Sequence, residues 1–339
     1  MAALPGEEKT MNTAILRAGA LLAAVFAQPA LAHHGVAGVG AAGLQGPGAP
    51  IESASSSVLP AGAVLAYLKV DEARFKKYDW AAPNADYARF TMLGLGYGVT
   101  PWFSAYVFVP HNTKVEESGG LDSRGWADAS VMGQIGFRYD QDGWHLTPAN
   151  ESLDDLEDWH FSVFAGSTLP TGSANHRLAD GSIDAGKSLG FGKPAWSLGV
   201  SASKMLGQTL TLNLEASTFR FQPYTYANGE RVQFGAENRL NAALSWRALT
   251  VPDKAFRLDP VLEVQYLALG RDRVDGVGED GTGGRMLYVM PGVRAYWHNA
   301  SFALGIKKPV WTRLNESSTQ QGAEGKEKYR LIFSTSLTF

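Results

Sequence analysis

His33 and His34 stand side by side, and cleavage after Ala32 would place the free α-amine and imidazole of His33 beside His34. Three nitrogens so arranged suit Cu(II). The plainer reading is a polar mature start, and the other histidines, His111, His145, His160, His176 and His298, show no ligand spacing. Asp154, Asp155, Glu157 and Asp158 crowd an acidic stretch over 151–158, yet they lack the regular alternation of a calcium loop, which favours solvated charge. His160 and Ser162 share one strand face, but a Ser/His pair without a third partner is not a hydrolytic triad. The chain has no Gly-x-Ser-x-Gly elbow, no His-Glu-x-x-His and no phosphate loop, so neither an enzyme nor a cofactor is expected. With no cysteine there is neither a thiolate metal site nor a disulfide.

A larger set of reactive side chains recurs at alternate positions. Phe90, Tyr106, Phe108, Arg138, Phe164, Glu215, Glu237, Arg239, Glu263, Tyr288, Arg294 and Arg330 each fall on the polar or inward face of an alternating segment. Tyr67, Lys69, Gln134, Tyr296 and Lys307 share that parity. Strand side chains alternate between faces, so these residues can line a common interior if the segments form one sheet closed on itself. Two readings follow. The charges can pair and fill the interior, because buried charge needs a partner. The aromatics Phe90, Tyr106, Phe108 and Phe164 are better placed to touch a passing apolar solute.

The elements that would carry these faces are short. From Ala61 onward, segments of about ten residues alternate apolar with polar or small residues between turns, which is the pattern of a membrane barrel. Twelve are expected, near 61–71, 86–98, 101–111, 125–139, 159–170, 194–205, 208–221, 231–247, 256–269, 284–297, 300–311 and 328–339. In the strand over 231–247, Phe234, Leu240, Leu244 and Trp246 are expected on the lipid face. Short turns at 98–101, 206–208 and 298–299 alternate with long loops at 112–124, 171–193, 270–283 and 312–327. The connection 140–158 is long although it falls on the short-turn side. The predicted fold is therefore all-β, a transmembrane antiparallel up-and-down barrel over 61–339 with about twelve strands. Tyr97, Trp102, Trp196, Trp246 and Trp297 sit where interfacial girdles would be.

Before the barrel, residues 1–32 read as a signal peptide, with Arg17, an apolar run and Ala30-Leu31-Ala32 as the cleavage site; Met11 is an alternative start. Residues 33–60 are a Gly/Pro/Ser-rich arm without strand or helix period. Irregular backbone is tolerated at membrane depth inside a barrel, so this arm is a candidate plug, with a periplasmic tail as the alternative. The last segment presents Tyr329, Leu331, Phe333, Leu337 and Phe339 on one face, an aromatic-ended pattern that resembles the signal read by the outer-membrane assembly machinery. Thirty Lys and Arg against thirty-three Asp and Glu give a net charge of −3, which offers no footprint for nucleic acid.

Several short motifs carry a resemblance. Leu93-Gly-Leu-Gly-Tyr-Gly-Val-Thr-Pro-Trp102, Gln134-Ile-Gly-Phe-Arg-Tyr139, Leu169-Pro-Thr-Gly172, Trp196-Ser-Leu-Gly-Val-Ser-Ala-Ser-Lys204 and the final Phe339 resemble the outer-membrane transporter family named for the meta-pathway of phenol degradation. The resemblance covers roughly Ala61 to Phe339. It implies a channel for aromatic or other apolar compounds in the bacterial outer membrane, with lipid and a small solute as partners. The arm and the 140–158 insertion depart from a generic member. The competing expectation is an envelope barrel whose His33/His34 arm or loops bind copper or another ligand.

Overall fold

The computed structural model describes residues 48–77, 85–116, 121–149, 157–315 and 327–339. The leader, His33, His34, the arm as far as residue 47 and positions 150–156 of the acidic stretch lie outside them. Lipid offers no hydrogen bonds, so a sheet that crosses it must pair both edges of every strand. The chain meets that demand with twelve antiparallel strands in a closed barrel. They are β1 (Val64–Phe75), β2 (Ala85–Thr100), β3 (Phe103–Glu116), β4 in two pieces (Leu121–Trp126 and Ser130–Asp140), β5 (Trp159–Thr168) and β6 (Trp196–Leu206). Then follow β7 (Leu210–Arg220), β8 (Glu237–Trp246), β9 (Phe256–Leu269), β10 (Gly284–Trp297), β11 (Ala300–Leu314) and β12 (Glu327–Thr338).

Closure lies between β12 and β1, in register from Leu65↔Thr338 to Phe75↔Glu327. Val64 and Phe339 extend it, the Phe339 N–H donating to the Val64 carbonyl at 2.8 Å and the Val64 N–H to the Phe339 carbonyl at 3.1 Å. Outward positions form the apolar belt, with Leu95 and Leu304 more than half exposed. Exposed Trp126, Trp196 and Trp311 mark the long-loop rim, and Tyr139, Trp144, Trp246 and Trp297 the short-turn rim. By the usual rule the short turns face the periplasm.

Three expectations about the wall are corrected. The strand placed over 231–247 covers Glu237–Trp246 alone. Gly235 is pressed against the Gly270 carbonyl, where a Cβ would come within 2.1 Å, and the chain there leaves the wall. Arg231–Gln233 joins a separate four-stranded sheet with Tyr224–Thr225, Arg273–Val274 and Val277–Gly278, so Phe234 is buried against Phe191 and Phe221 rather than facing lipid. The loop placed at 112–124 is largely strand, since β3 runs to Glu116 and β4 begins at Leu121. β4 breaks over 127–129 opposite Pro110, whose ring nitrogen has no hydrogen to donate; the Ala127 N–H donates to the Pro110 carbonyl at 2.8 Å. The 140–158 connection likewise begins as structure: Gly143–Leu146 folds back on β4 along the edge that β3 has left free.

The interior is packed through inward glycines. Gly94 faces Phe108 and Gly96 faces Tyr106 across β2 and β3, and Gly199 faces Phe164 across β5 and β6. A Cβ on Gly199 would sit 2.2 Å from the Phe164 ring, and on Gly96 2.6 Å from the Tyr106 ring. The rings thus lie flat over the neighbouring strand, which a side chain there would prevent. Overfilling such a contact typically costs about 1–3 kcal/mol. Gly199→Ala should therefore lower the urea midpoint of the barrel refolded in lipid vesicles by a stability loss in that range, and Phe164→Leu in the same chain should recover part of it. An undiminished midpoint in the single variant would contradict the ring contact.

Candidate functional site

Residues 48–60 are an irregular segment inserted into the barrel from the short-turn end. Gly48 sits low, its N–H donating to Asp259 at 3.1 Å, and the Ala49 N–H donates to the Tyr296 hydroxyl at 3.2 Å. The segment rises to Glu52 and Ala54, then descends until Pro60 lies at the periplasmic end of β2, where a Cβ on Gly98 would come within 1.9 Å of its carbonyl. The three glycines of the Leu93–Gly98 motif thus have two tasks: Gly94 and Gly96 receive rings, and Gly98 gives room to the arm. Apart from Glu52, the side chains over 49–59 are buried.

An irregular backbone has lost its sheet partners, so its donors and acceptors must be met by side chains. Most of the help comes from charged groups on the wall. The Glu263 carboxylate accepts the N–H groups of Ile51, Glu52 (2.9 Å) and Ser53 (3.0 Å), together with the Ser53 hydroxyl at 2.6 Å. Glu215 accepts the Ala54 N–H at 2.7 Å. Arg294 donates to the Pro50 carbonyl, Asn213 to that of Gly48 and Gln134 to that of Ser55. Charge-assisted bonds of this kind are about twice as strong as neutral ones.

Other wall charges pair within the wall, and two lysines pair with the arm. Arg330 meets Glu327 and Asp71 (3.3 Å), Arg239 meets Glu237 at 2.7 Å and Arg257 meets Asp259 at 2.7 Å. Lys69 and Lys307 converge on Glu52, at 3.5 and 3.0 Å. Lys307 also lies over the Tyr288 ring, 4.5 Å from its centre. Glu52 thus spans the lumen, its N–H on an acidic wall and its carboxylate on a basic one.

The inward aromatics form the other half of the lining. Tyr67, Phe90, Met92, Tyr106, Phe108, Met132 and Phe164 make one apolar cluster over β1 to β5, which Ala54 and Leu59 of the arm join. Tyr106 and Phe108 stack at 6.1 Å. Above the arm tip a cavity of about 40 Å³ lies among Glu52, Phe164, Glu215, Glu237, Arg239 and Gln265.

The long-loop end is covered as well. Asp128, in the break of β4, accepts the N–H groups of Gly172 (2.8 Å) and Phe191 (2.7 Å), drawing the 169–195 loop inward. Phe191, Phe219, Phe221, Phe234 and Tyr226 pack into a cluster with the small sheet. In that loop, burial pushes the Asp184 carboxyl above its ordinary range against the pull of the Gly186 N–H. A cavity of about 90 Å³ separates Leu189, Phe191 and Phe234 from the inward Phe90 and Met92.

Of the residues singled out from sequence, Glu215, Glu263 and Arg294 touch the arm, while Glu237 and Arg239 border the cavity above it. Tyr288 underlies Lys307, and Arg330 anchors the pair behind it. Phe90 looks toward the loops. Arg138 stands apart at the periplasmic end of β4, paired with Asp140 at 2.8 Å. The Ser162 hydroxyl is bonded to Gln134 at 2.9 Å and to Ser201 at 2.7 Å. Tyr329, Leu331, Phe333, Leu337 and Phe339 form the outward face of β12. Sequence reasoning missed Asp71, Arg257 and Asp259, although the strand period carries Lys69 to Asp71 and Glu263 back to Asp259. It also missed Glu52, whose signal was available: it is the sole Asp, Glu, Lys or Arg in 33–60.

No family model matches the sequence, and no curated protein does. Among solved structures, the COG4313 outer membrane channel from Pseudomonas putida F1 superposes with a TM-score of 0.63 over 85% of this chain and all of that one, at 13% identity. The β domain of the Bordetella autotransporter BrkA follows with a TM-score of 0.44 at 11% identity, over 82% of this chain and 100% of that one. At this identity the likeness is one of fold. With the exposed aliphatic belt, it places the chain among the barrels of the bacterial outer membrane.

Because the chain has no native cysteine, the arm can be probed by labelling. Ala54→Cys should resist a periplasmic maleimide in the folded protein. Adding Glu263→Leu strands the N–H groups of residues 51–53, at about 1–3 kcal/mol for each buried donor left unpaired, and labelling should rise to completion. Equal labelling in both backgrounds would show that Glu263 does not hold the arm.

Proposed function

We propose that the protein is a gated outer-membrane channel for small apolar or aromatic compounds, kept shut at rest by residues 48–60. The observation that carries this reading is the division of the wall charges: those the wall does not pair internally are satisfied by the arm. A segment bonded through side chains to the inner wall can leave without breaking the ladder that closes the barrel. A strand could not. The passage that opens would run along Phe90, Tyr106, Phe108 and Phe164 on one side and along Glu215, Glu263 and Arg294 on the other. The aromatic half gives an apolar solute a surface, and the resemblance to aromatic-compound transporters points the same way. No covalent step is assigned, and selectivity would come from the lining alone. Tyr329, Leu331, Phe333, Leu337 and Phe339 would serve as the insertion signal for the assembly machinery.

A reversible lock tests the gate. The Ser56 N–H lies 3.3 Å from the Ser203 hydroxyl, so Ser56→Cys with Ser203→Cys can tie the arm to β6. In planar bilayers the oxidised double variant should stay closed, and dithiothreitol should restore wild-type openings. In liposome swelling at pH 8, where the carboxylate hardly crosses lipid unaided, reduced protein should admit benzoate and oxidised protein should not. Conductance and swelling that ignore the lock would remove the arm from the gating mechanism, and a barrel that passes nothing in either state would sink the channel reading.

A further inference from the structure

We propose that Glu52 occupies the site of a transported carboxylate, and that the channel takes small organic monocarboxylates with an apolar body, which open it by displacing the Ile51–Glu52 tip. This rests on the channel reading above.

The Glu52 carboxylate is held by two buried ammonium groups, Lys69 and Lys307, whose side chains are 6% and 4% exposed. Asp71 approaches Lys69 no closer than 4.0 Å and is itself drawn to Arg330 at 3.3 Å. If the arm withdraws alone, two lysines are left in the barrel interior without their carboxylate. Leaving a buried charge unpaired is strongly unfavourable, and a partner of the same charge as the one removed lifts that penalty. An uncharged solute cannot make that exchange. A carboxylate can.

Beside the charge site lies a receptacle for an apolar group. Ile51 is fully buried against Val261, Met290, Ala303 and Ile332. Its Cδ1 reaches into the hollow over Gly292 and Gly305, where an added Cβ would come within 2.3 and 3.5 Å of it. Gly305 and Lys307 occupy successive inward positions of β11, so hollow and ammonium are neighbours on one strand. Tyr288 flanks the same ammonium with a ring face. Adjacent side chains of the arm thus present an aliphatic group and a carboxylate, the two parts of a small carboxylic acid such as benzoate. The arm competes with such a solute for one site, which couples solute capture to opening.

The test compares benzoate with benzyl alcohol, which has a similar body without the charge, on the full-length protein. Isothermal titration reads binding, and bilayer recording reads openings. Glu52→Gln removes the competing carboxylate and should raise benzoate affinity by about tenfold or more over wild type, with no change for benzyl alcohol. Lys307→Gln added to Glu52→Gln should abolish the gain. In wild type, benzoate should raise the open fraction and benzyl alcohol should not. Folding is checked by heat-modifiable migration, and Glu52→Ala replaces Glu52→Gln if the latter does not fold. Equal affinities for the two ligands in the Glu52 variants, or a gain that survives Lys307→Gln, would overturn the proposal while leaving a conducting channel intact. Tight benzoate binding to a barrel that never conducts would instead overturn the channel reading.

Discussion

A sheet in lipid can leave no edge open, and the pairing of β12 with β1 is what removes the last one here. The consequence is carried inward. Closing twelve strands produces an interior, and an interior lined by alternate positions of every strand must be filled or wetted. In this chain much of it is filled. On the β1 to β5 side, rings lie over inward glycines. Across β7 to β12, carboxylates and cations stand close enough to neutralise one another in pairs.

Pairing within the wall is incomplete, and the remainder determines where the arm lies. Glu263 and Glu215 take backbone donors from a segment that lies outside the strands of the barrel, while Lys69 and Lys307 take the one carboxylate that the segment brings. The arm therefore behaves as an interior component bound by polar contacts with an apolar foothold at Ile51, Val58 and Leu59. Its sequence suits that task. Small residues let the backbone approach the wall, the Ser53 hydroxyl adds a bond to Glu263, and the Ser55 hydroxyl accepts the Ser57 N–H at 3.2 Å.

Much of this was legible beforehand because it follows from a period of two. The alternation of β12 and of Leu210 to Glu215 fixed which side chains face in, and the strand number followed from turns and loops. What the period could not give were places where the chain leaves the wall. Phe234 obeys the alternation of its neighbours but belongs to an aromatic cluster above the rim, since Gly235 and Gly270 approach too closely for the ladder to continue. Glu327 stands at odd parity to Arg330 yet faces it, because the register slips where Phe75 pairs with Glu327. Positions in the arm have no period at all. Glu52 could be noticed as a lone charge, but its partners lie 17 and 255 residues away and become visible once the barrel is closed.

The two covers of the lumen are built from different forces, and this bears on how each can move. At the extracellular end, Phe191, Phe219, Phe221 and Phe234 bury apolar surface against one another, with Asp128 and Asp272 pinning the chain at the edges. Such a cluster gains little from any particular solute in the lumen. At the periplasmic end, the arm is held mainly by charges on the wall itself, and charge is exchangeable. A solute that brings its own carboxylate meets groups already desolvated and oriented, so the cost of preparing the site has been met by folding. The asymmetry is why the proposed solute site belongs with the arm, where exchangeable charge does the holding, and not with the loop cover, which is held by packing.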